Sequence, residues 1–152
     1  MIRRAAAADA GEITKLINLA FRVERFFLES DRLDLAEVLE RLQKGAFLVE
    51  EIDGEIAACV YVEVRGGRAY LGLLSVDPSR QRSGLGKRLI DAAEQFARDH
   101  GCGFMDILVV NLREELPPYY RKLGYEETGT SPFPEAVPTK LPCHFIHMAK
   151  PL

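Results

Sequence analysis

A polar, glycine-containing turn joins two apolar segments near the middle of the chain. Residues 69–76 are typical of a strand, and residues 85–100 carry apolar side chains at helical spacing. Because the turn leads into a helix, several backbone N–H groups and the positive end of the helix dipole point at one spot. The turn region also carries basic residues: Arg80, Arg82, Lys87 and Arg88. This arrangement predicts a binding site for phosphate at the start of the helix.

The glycine pattern of the turn, Gln81-x-x-Gly84-x-Gly86, differs from two familiar phosphate-binding motifs. It lacks the Gly-Lys-Ser/Thr ending of a P-loop, and position 89 lacks the third glycine of a dinucleotide-binding fingerprint. The glycines still allow the backbone to approach a ligand closely. A helix-initiating turn that binds no ligand is the alternative interpretation.

Composition narrows the class of protein. The chain has 152 residues, 47% of them hydrophobic, so we expect a single domain over residues 1–152 with its own core. A formal net charge of -3 argues against a nucleic-acid partner, and no apolar stretch approaches the roughly 20 residues of a membrane helix. The cysteines, Cys59, Cys102 and Cys143, lack metal-ligand spacing. These features predict a reduced, cytoplasmic protein with no metal, no nucleic acid and no membrane association.

Periodicity and turn residues predict strands and helices along the whole chain. Capping-box spacing at Asp9 with Glu12 and at Asp34 with Glu37 predicts the starts of two early helices. Strands are predicted at residues 2–5, 47–52, 55–65, 69–76, 104–110, 125–128 and 144–148, and later helices at 85–100 and 117–123. The order βααβββαβαβ predicts an α/β (α+β) fold, a mixed central sheet of about six to seven strands with helices on both faces.

A second pattern lies nearer the C-terminal end of the chain. Leu108-Val109-Val110-Asn111 ends a buried strand, and Tyr120-Arg121-Lys122-Leu123-Gly124-Tyr125 joins the next helix to the next strand. Together with the Gln81-x-x-Gly84-x-Gly86 turn, this pattern resembles the GNAT superfamily of acyl-CoA N-acyltransferases over residues 2–148. The connection from Asn111 to Tyr120 is longer than the commonest family spacing and contains Pro117-Pro118, and Tyr119 competes with Tyr120.

The resemblance implies an N-acetyltransferase that uses acetyl-CoA as cosubstrate. In the family, the strand before the turn and the strand ending at Val110 splay apart, often with a bulge, and the thioester enters between them. The implied cofactor-binding residues are Leu74, Ser75, Val76 and Asn111 for the pantetheine arm, and Gln81, Arg82, Ser83, Gly84, Leu85, Gly86 and Lys87 around the pyrophosphate. Tyr120 is implied to be the general acid that protonates the leaving thiolate.

Direct attack by an amine on the thioester suits the residue types present. Backbone N–H groups at a strand bulge can polarise the carbonyl, and no covalent enzyme intermediate is needed, in agreement with the absence of a convincing Ser-His or Cys-His set. Three alternatives stay open: a non-catalytic acyl-CoA-binding regulatory module, a transferase of another acyl group or to an oxygen acceptor, and a nucleotide-binding protein.

The general base has no clear candidate in the sequence. Many family members carry a glutamate on the strand before the phosphate turn, but residues 70–75 contain no carboxylate. Glu63 on the neighbouring strand is a substitute; Glu24, Glu29 or a chain of water molecules are the alternatives. Acceptor specificity is expected in residues 21–32 and in the loop 131–142. The predicted partner is a small-molecule or peptide amine, and a homodimer is the default expectation.

Overall fold

The computed structural model describes residues 1–81 and 83–152, so Arg82, one of the predicted pyrophosphate-binding residues, lies outside the described residues. The strands are β1 (Ile2–Arg4), β2 (Ala46–Ile52), β3 (Glu55–Arg65), β4 (Arg68–Val76), β5 (Phe104–Val110), β6 (Glu126–Pro132) and β7 (His144–Pro151). The helices are α1 (Ala10–Ala20), α2 (Leu35–Lys44), α3 (Leu85–Asp99) and α4 (Leu116–Lys122), with short 3-10 helices at Ala7–Asp9, Phe21–Glu24 and Pro78–Arg80. No helix in this part of the chain is long and apolar enough to cross a membrane.

The strands form one mixed sheet in the order β1-β2-β3-β4-β5-β7-β6. β4 and β5 are parallel, and the other neighbouring strands are antiparallel. The predicted fold class is therefore confirmed, with seven strands in the sheet. The final β of the predicted order βααβββαβαβ corresponds to two strands, β6 and β7, which pair antiparallel.

Helices cover both faces of the sheet, and β3 is buried between them. Ala58, Val60 and Val62 belong to the core cluster that includes α3, whereas Cys59 and Tyr61 belong to the cluster with α1 and α2. Because successive side chains of a strand point to opposite faces, a strand covered on both sides carries a continuous apolar run. Each fully buried valine, leucine or isoleucine contributes about 1.5–3 kcal/mol to this packing.

The two predicted capping boxes have different outcomes. At α2 the prediction is confirmed, since the Glu37 N–H donates to Asp34 Oδ1 at 2.9 Å and the Asp34 N–H donates to Glu37 Oε1 at 3.3 Å. At α1 it is wrong: the Asp9 carboxylate instead binds the Arg3 guanidinium, and Glu12 accepts the Ile56 N–H at 2.7 Å. Arg3 comes from the neighbouring strand, so a tertiary ion pair replaces the local cap.

β4 and β5 separate after a short parallel contact, which joins residues 68–70 to residues 104–106. On its other side β4 has a bulge: Cys59 pairs with Ser75 and Tyr61 with Gly72, so two residues of β4 lie opposite one residue of β3. One of these two, Leu73, has a φ of +54°, a left-handed conformation that non-glycine residues seldom adopt and that costs about 1–3 kcal/mol. The separation opens a cleft between the C-terminal halves of β4 and β5.

Candidate functional site

A cavity of about 860 Å³ fills the cleft between β4 and β5. This volume lies within the range of about 300–1,000 Å³ that is usual for ligand pockets. The cavity reaches the start of α3 on one side and the segment after α1 on the other. We call these two regions the α3 wall and the acceptor wall. The α3 wall consists of Gln81, Ser83, Gly84, Leu85, Gly86, Lys87 and Tyr119, and the acceptor wall of Phe21, Glu24, Leu28, Arg32, Arg113, Glu115, Phe133 and Phe145.

The α3 wall is built mainly from backbone. Gly84 is the N-cap of α3 with a φ of +80°, and no side chain caps the helix. The first N–H groups of a helix have no partner within it, so those of α3 remain able to bind an anion. A Cβ atom built on Gly86 would lie 3.7 Å from the Tyr119 hydroxyl and 3.8 Å from Val76 Cγ2, at ordinary contact distance. A methyl group would therefore fit at position 86, in contact with Tyr119 and Val76 of the cavity lining.

The basic side chains near this wall are mostly engaged elsewhere. Lys87 Nζ lies 2.9 Å from Asp91 on the surface, and the Arg88 guanidinium binds the buried Glu50 carboxylate. Arg80 forms no ion pair with any residue that the structure describes. Asp77 accepts hydrogen bonds from the Ser79 N–H and hydroxyl at 2.9 and 2.8 Å, which shapes the turn before the helix. The uncapped N-terminus of α3 adds positive field at the α3 wall that does not depend on the Lys87 and Arg88 side chains.

β4 contributes the floor of the cavity. Leu74 and Val76 line it, and beyond residue 70 the edge of β4 that faces β5 has no strand partner among the described residues. Unpaired strand edges accept extended ligands through main-chain hydrogen bonds. Ser75 is placed differently: it is buried on β4, and its hydroxyl donates to the Leu73 carbonyl at 3.0 Å rather than lining the cavity.

The two neighbouring tyrosines of α4 occupy different places. Tyr120 lines the cavity with only 7% of its surface exposed, and its ring packs edge-on against Tyr119 and Tyr125. Its hydroxyl forms no hydrogen bond to a described residue, and burial raises its pKa. Tyr119 is 38% exposed and stands beside the α3 N-terminus. Tyr120 is therefore the more deeply buried of these two tyrosines, which both line the cleft between β4 and β5.

Besides Ser75, two further predicted site residues are not brought to the cavity. The backbone N–H of Asn111 donates to the His144 carbonyl at 3.0 Å, and Asn111 Oδ1 accepts the His144 N–H at 2.8 Å, so this residue joins the end of β5 to β7. Glu63 lies outside the lining, where its carboxylate accepts hydrogen bonds from the Tyr61 hydroxyl and from Arg65. Partial burial raises the pKa of Glu63. The two hydrogen bonds outweigh this effect and hold its pKa below the usual value.

The acceptor wall assembles segments that are distant in the sequence. The Lys140 N–H donates to the Phe27 carbonyl at 2.7 Å, Lys140 Nζ binds the Arg25 carbonyl at 2.9 Å, and Leu28 forms an isolated bridge with Thr139. These contacts bring the predicted acceptor regions 21–32 and 131–142 together over one side of the cleft. Arg113 completes the wall. Its position in the connection after β5 offers no local pattern, and sequence reasoning missed it.

Glu24 is the buried carboxylate of this wall. It is 4% exposed, and its Oε2 accepts a hydrogen bond from Arg113 Nη1 at 2.9 Å. Burial raises the pKa of Glu24, and the charges of Arg32 and Arg113 oppose that rise without cancelling it. Of the carboxylates considered from the sequence, Glu24 is thus brought to the cavity, whereas Glu29 and Glu63 are not.

Neither a metal centre nor a cysteine nucleophile is seen in the described part of the chain. No group of three His, Cys, Asp or Glu side chains there has the geometry to hold a metal ion. The three cysteines are free, and none of them lines the cavity. Burial raises the pKa of Cys59 to about 12, which makes its thiol a poor nucleophile.

The chain is similar to a family model, to known protein sequences and to solved structures. The model described as "Acetyltransferase (GNAT) family" matches residues 12–125. N-acetyltransferase family 8 member 2 from Rattus norvegicus is 32% identical over 104 residues, 63% of this chain and 46% of that protein, so the chain spans about half of its length. Thialysine N-epsilon-acetyltransferase from Bos taurus is 28% identical over 148 residues, 84% of each chain. The solved structure of an aminoglycoside 6'-N-acetyltransferase complexed with coenzyme A has a TM-score of 0.78 at 19% identity and covers 99% of this chain and 96% of its own.

Proposed function

Because the chain belongs to the GNAT acetyltransferase family, we propose that it transfers an acetyl group from acetyl-CoA to a primary amine by direct attack in a ternary complex. The observation that carries the proposal is the cavity between β4 and β5, which connects the open N-terminus of α3 with the buried carboxylate of Glu24. Such a passage lets a phosphate-bearing donor and an amine approach each other from opposite sides. The relatives named as N-acetyltransferases, one of them complexed with coenzyme A, support the same reaction class.

In this proposal the α3 wall and β4 hold the donor. N–H groups from Ser83 to Lys87 bind the pyrophosphate, which suits a helix terminus without a side-chain cap. The unpaired edge of β4 near Leu74 and Val76 binds the pantetheine arm as an added strand. Asn111 is left out of the donor site in this proposal, because it lies outside the cavity lining and its side-chain oxygen accepts the His144 N–H.

Tyr120 supplies a proton to the leaving sulfur. Since burial raises its pKa, the phenol stays protonated at neutral pH, as a general acid must before the reaction. The bulge at Leu73 and Leu74 leaves backbone groups of β4 free to polarise the thioester carbonyl. No cysteine is needed as a nucleophile, in agreement with the lining of the cavity.

Ligand binding to the native state raises its apparent stability, by about 2.7 kcal/mol at a concentration one hundred times the Kd. We expect acetyl-CoA and CoA to raise the melting temperature and ATP to leave it unchanged. Amine-dependent release of CoA from acetyl-CoA should follow in a turnover assay. If neither CoA species changes the melting temperature, the proposal is wrong.

The main alternative is a non-catalytic acyl-CoA-binding module, and the position of Glu63 outside the cavity is the observation that favours it. Such a protein would bind acetyl-CoA and release no CoA with any amine. A transferase of another acyl group would be stabilised by CoA, with faster turnover of a longer thioester than of acetyl-CoA.

A further inference from the structure

The acceptor wall contains a buried carboxylate with one unused oxygen. Glu24 Oε2 binds Arg113, but no described residue donates a hydrogen bond to Oε1. The side chain is 6% exposed and belongs to the cavity lining. Oε1 is not among the fully buried atoms of the described residues that lack a partner, so it is open to the cavity and can accept a charge-assisted hydrogen bond from a cationic ligand. An amine acceptor in its ammonium form is such a ligand.

Arg113 holds Glu24 in place. Its side chain is 16% exposed, its Nη1 binds Glu24, and its Nε binds Glu115 Oε2 at 3.2 Å. Its own N–H donates to the Val110 carbonyl at 2.9 Å, which anchors the residue to the end of β5. Because both sides of the guanidinium are engaged, Arg113 is a positioning residue rather than a free anion site.

Arg32 is the second cation of the acceptor wall. It lines the cavity, and its guanidinium lies 5.5 Å from the centroid of the Phe21 ring. Among the described residues no carboxylate forms an ion pair with it. Arg32 and Glu24 line the same cavity, and the charge of Arg32 opposes the rise in the pKa of Glu24. A guanidinium in this position, beside an apolar ring, is well suited to bind a carboxylate.

The rest of the acceptor wall is apolar. Phe133 and Phe145 pack with their centroids 5.0 Å apart, and Leu28 belongs to the same cluster. All three line the cavity together with Phe21. A side chain placed here is removed from water, which favours an apolar one.

We propose that the acceptor is an amino acid with a free carboxylate and an apolar side chain, whose ammonium binds Glu24 and whose carboxylate binds Arg32. The inference rests on the proposed acetyltransferase function and names its substrate class. It disfavours a peptide or protein N-terminus as the acceptor, because an amide-linked terminus has no carboxylate to offer Arg32.

Glu24 also serves as the proton acceptor in this arrangement. One ammonium proton passes to its Oε1, and the nitrogen lone pair then forms the C–N bond at the thioester carbonyl carbon. The C–S bond breaks with its electron pair on sulfur, and Tyr120 donates a proton there. A second proton leaves the nitrogen and restores the phenol, and Glu24 later releases its proton to water. The products are the N-acetyl amino acid, CoA with a free thiol and one proton.

The test compares three amines that share an ammonium and a benzyl group and differ in the substituent on the carbon next to the nitrogen: L-phenylalanine carries a carboxylate, L-phenylalaninamide a neutral amide and 2-phenylethylamine a hydrogen. Each is assayed with acetyl-CoA by chromatography of the products. A charge-assisted hydrogen bond to Arg32 predicts a kcat/KM about 10- to 100-fold higher for L-phenylalanine than for the other two. In Arg32→Leu this preference should fall below about threefold. Arg25→Leu is the matched control, because Arg25 is a largely exposed cation of the same segment and is absent from the lining; it should keep the preference.

Glu24→Gln tests the other half of the site. It should lower kcat/KM for all three amines and remove the acidic limb of the pH profile, while acetyl-CoA still raises its melting temperature. If the amide and the amine are acetylated as fast as L-phenylalanine, or if none of the three reacts although CoA binds, the substrate inference is overturned and the proposed function stands. Failure of CoA to bind the wild-type protein would instead overturn the proposed function itself.

Discussion

The two walls of the cavity are built in different ways. Apart from Tyr119, the α3 wall uses backbone N–H groups and closely spaced residues of one segment, Gln81 and residues 83–87. The acceptor wall uses side chains from segments far apart in the chain: Glu24 and Arg113 are separated by 89 positions, and Lys140 and Arg25 by 115. A site made of local backbone tolerates many changes of side chain, whereas a site made of distant side chains depends on each of them.

The largest effect is expected from Gly86→Leu. A leucine side chain would start at ordinary contact distance from Tyr119 and Val76 and extend into the α3 wall, so CoA affinity should fall at least ~100-fold with little loss of stability. Gly84 is a poorer choice because its positive φ would add strain. Isothermal titration with CoA measures the change, and Gly11→Leu, in open space on α1, is the control. Retained tight binding would show that the donor does not reach the α3 N-terminus.

Tyr120→Phe should have the next largest effect. Loss of a general acid lowers kcat by about 100-fold or more, while the CoA Kd should stay within about twofold of the wild-type value. Tyr119→Phe is the matched comparison on the same helix, and steady-state kinetics of both variants decides between the two tyrosines. A greater loss of kcat in Tyr119→Phe would assign the general acid to Tyr119, which belongs to the α3 wall.

Arg113→Met tests how Arg113 controls the protonation of Glu24 in the acceptor wall. Removing this positive charge should raise the pKa of Glu24 further, because burial already raises it and Arg113 opposes the rise. Glu24 accepts a proton only when ionised, so the acidic limb of kcat/KM should move to higher pH, with a loss of about 10-fold at neutral pH. The pH profile of Arg25→Met should match the wild type. An unmoved limb in Arg113→Met would assign the limb to another group.

The smallest effect is expected from Lys87→Ala. Lys87 is 62% exposed and paired with Asp91 on the surface, so its charge is well screened. If backbone N–H groups hold the pyrophosphate, CoA affinity at physiological salt should change by no more than about threefold. Asp91→Ala serves as the partner variant. A loss above about 10-fold for Lys87→Ala would mean that side-chain charge, not the helix terminus, dominates the α3 wall.

Two carboxylates, Asp9 and Glu63, are placed differently from the sequence interpretation for a similar reason. Asp9 was expected to cap α1 but is held by Arg3, which reaches it from β1. Glu63 was considered as the base, yet Tyr61 and Arg65, its neighbours two positions away on β3, occupy its carboxylate outside the cavity. In both cases a nearby cation or hydroxyl binds the carboxylate in place of the expected partner. Which partner a carboxylate binds depends on side-chain directions, and a sequence pattern does not contain them.

The sequence by itself determined the elements whose signals are local. The α2 capping box, the apolar periodicity of α3 and the glycine turn before it depend on residues within a few positions of each other, and backbone geometry over that range follows from residue type. Only the tertiary structure decided the bulge at Leu73, the separation of β4 from β5 and the meeting of Glu24, Arg32 and Arg113. Those features arise when the sheet forms and segments distant in the sequence pack against one another. No short stretch of the chain determines that packing.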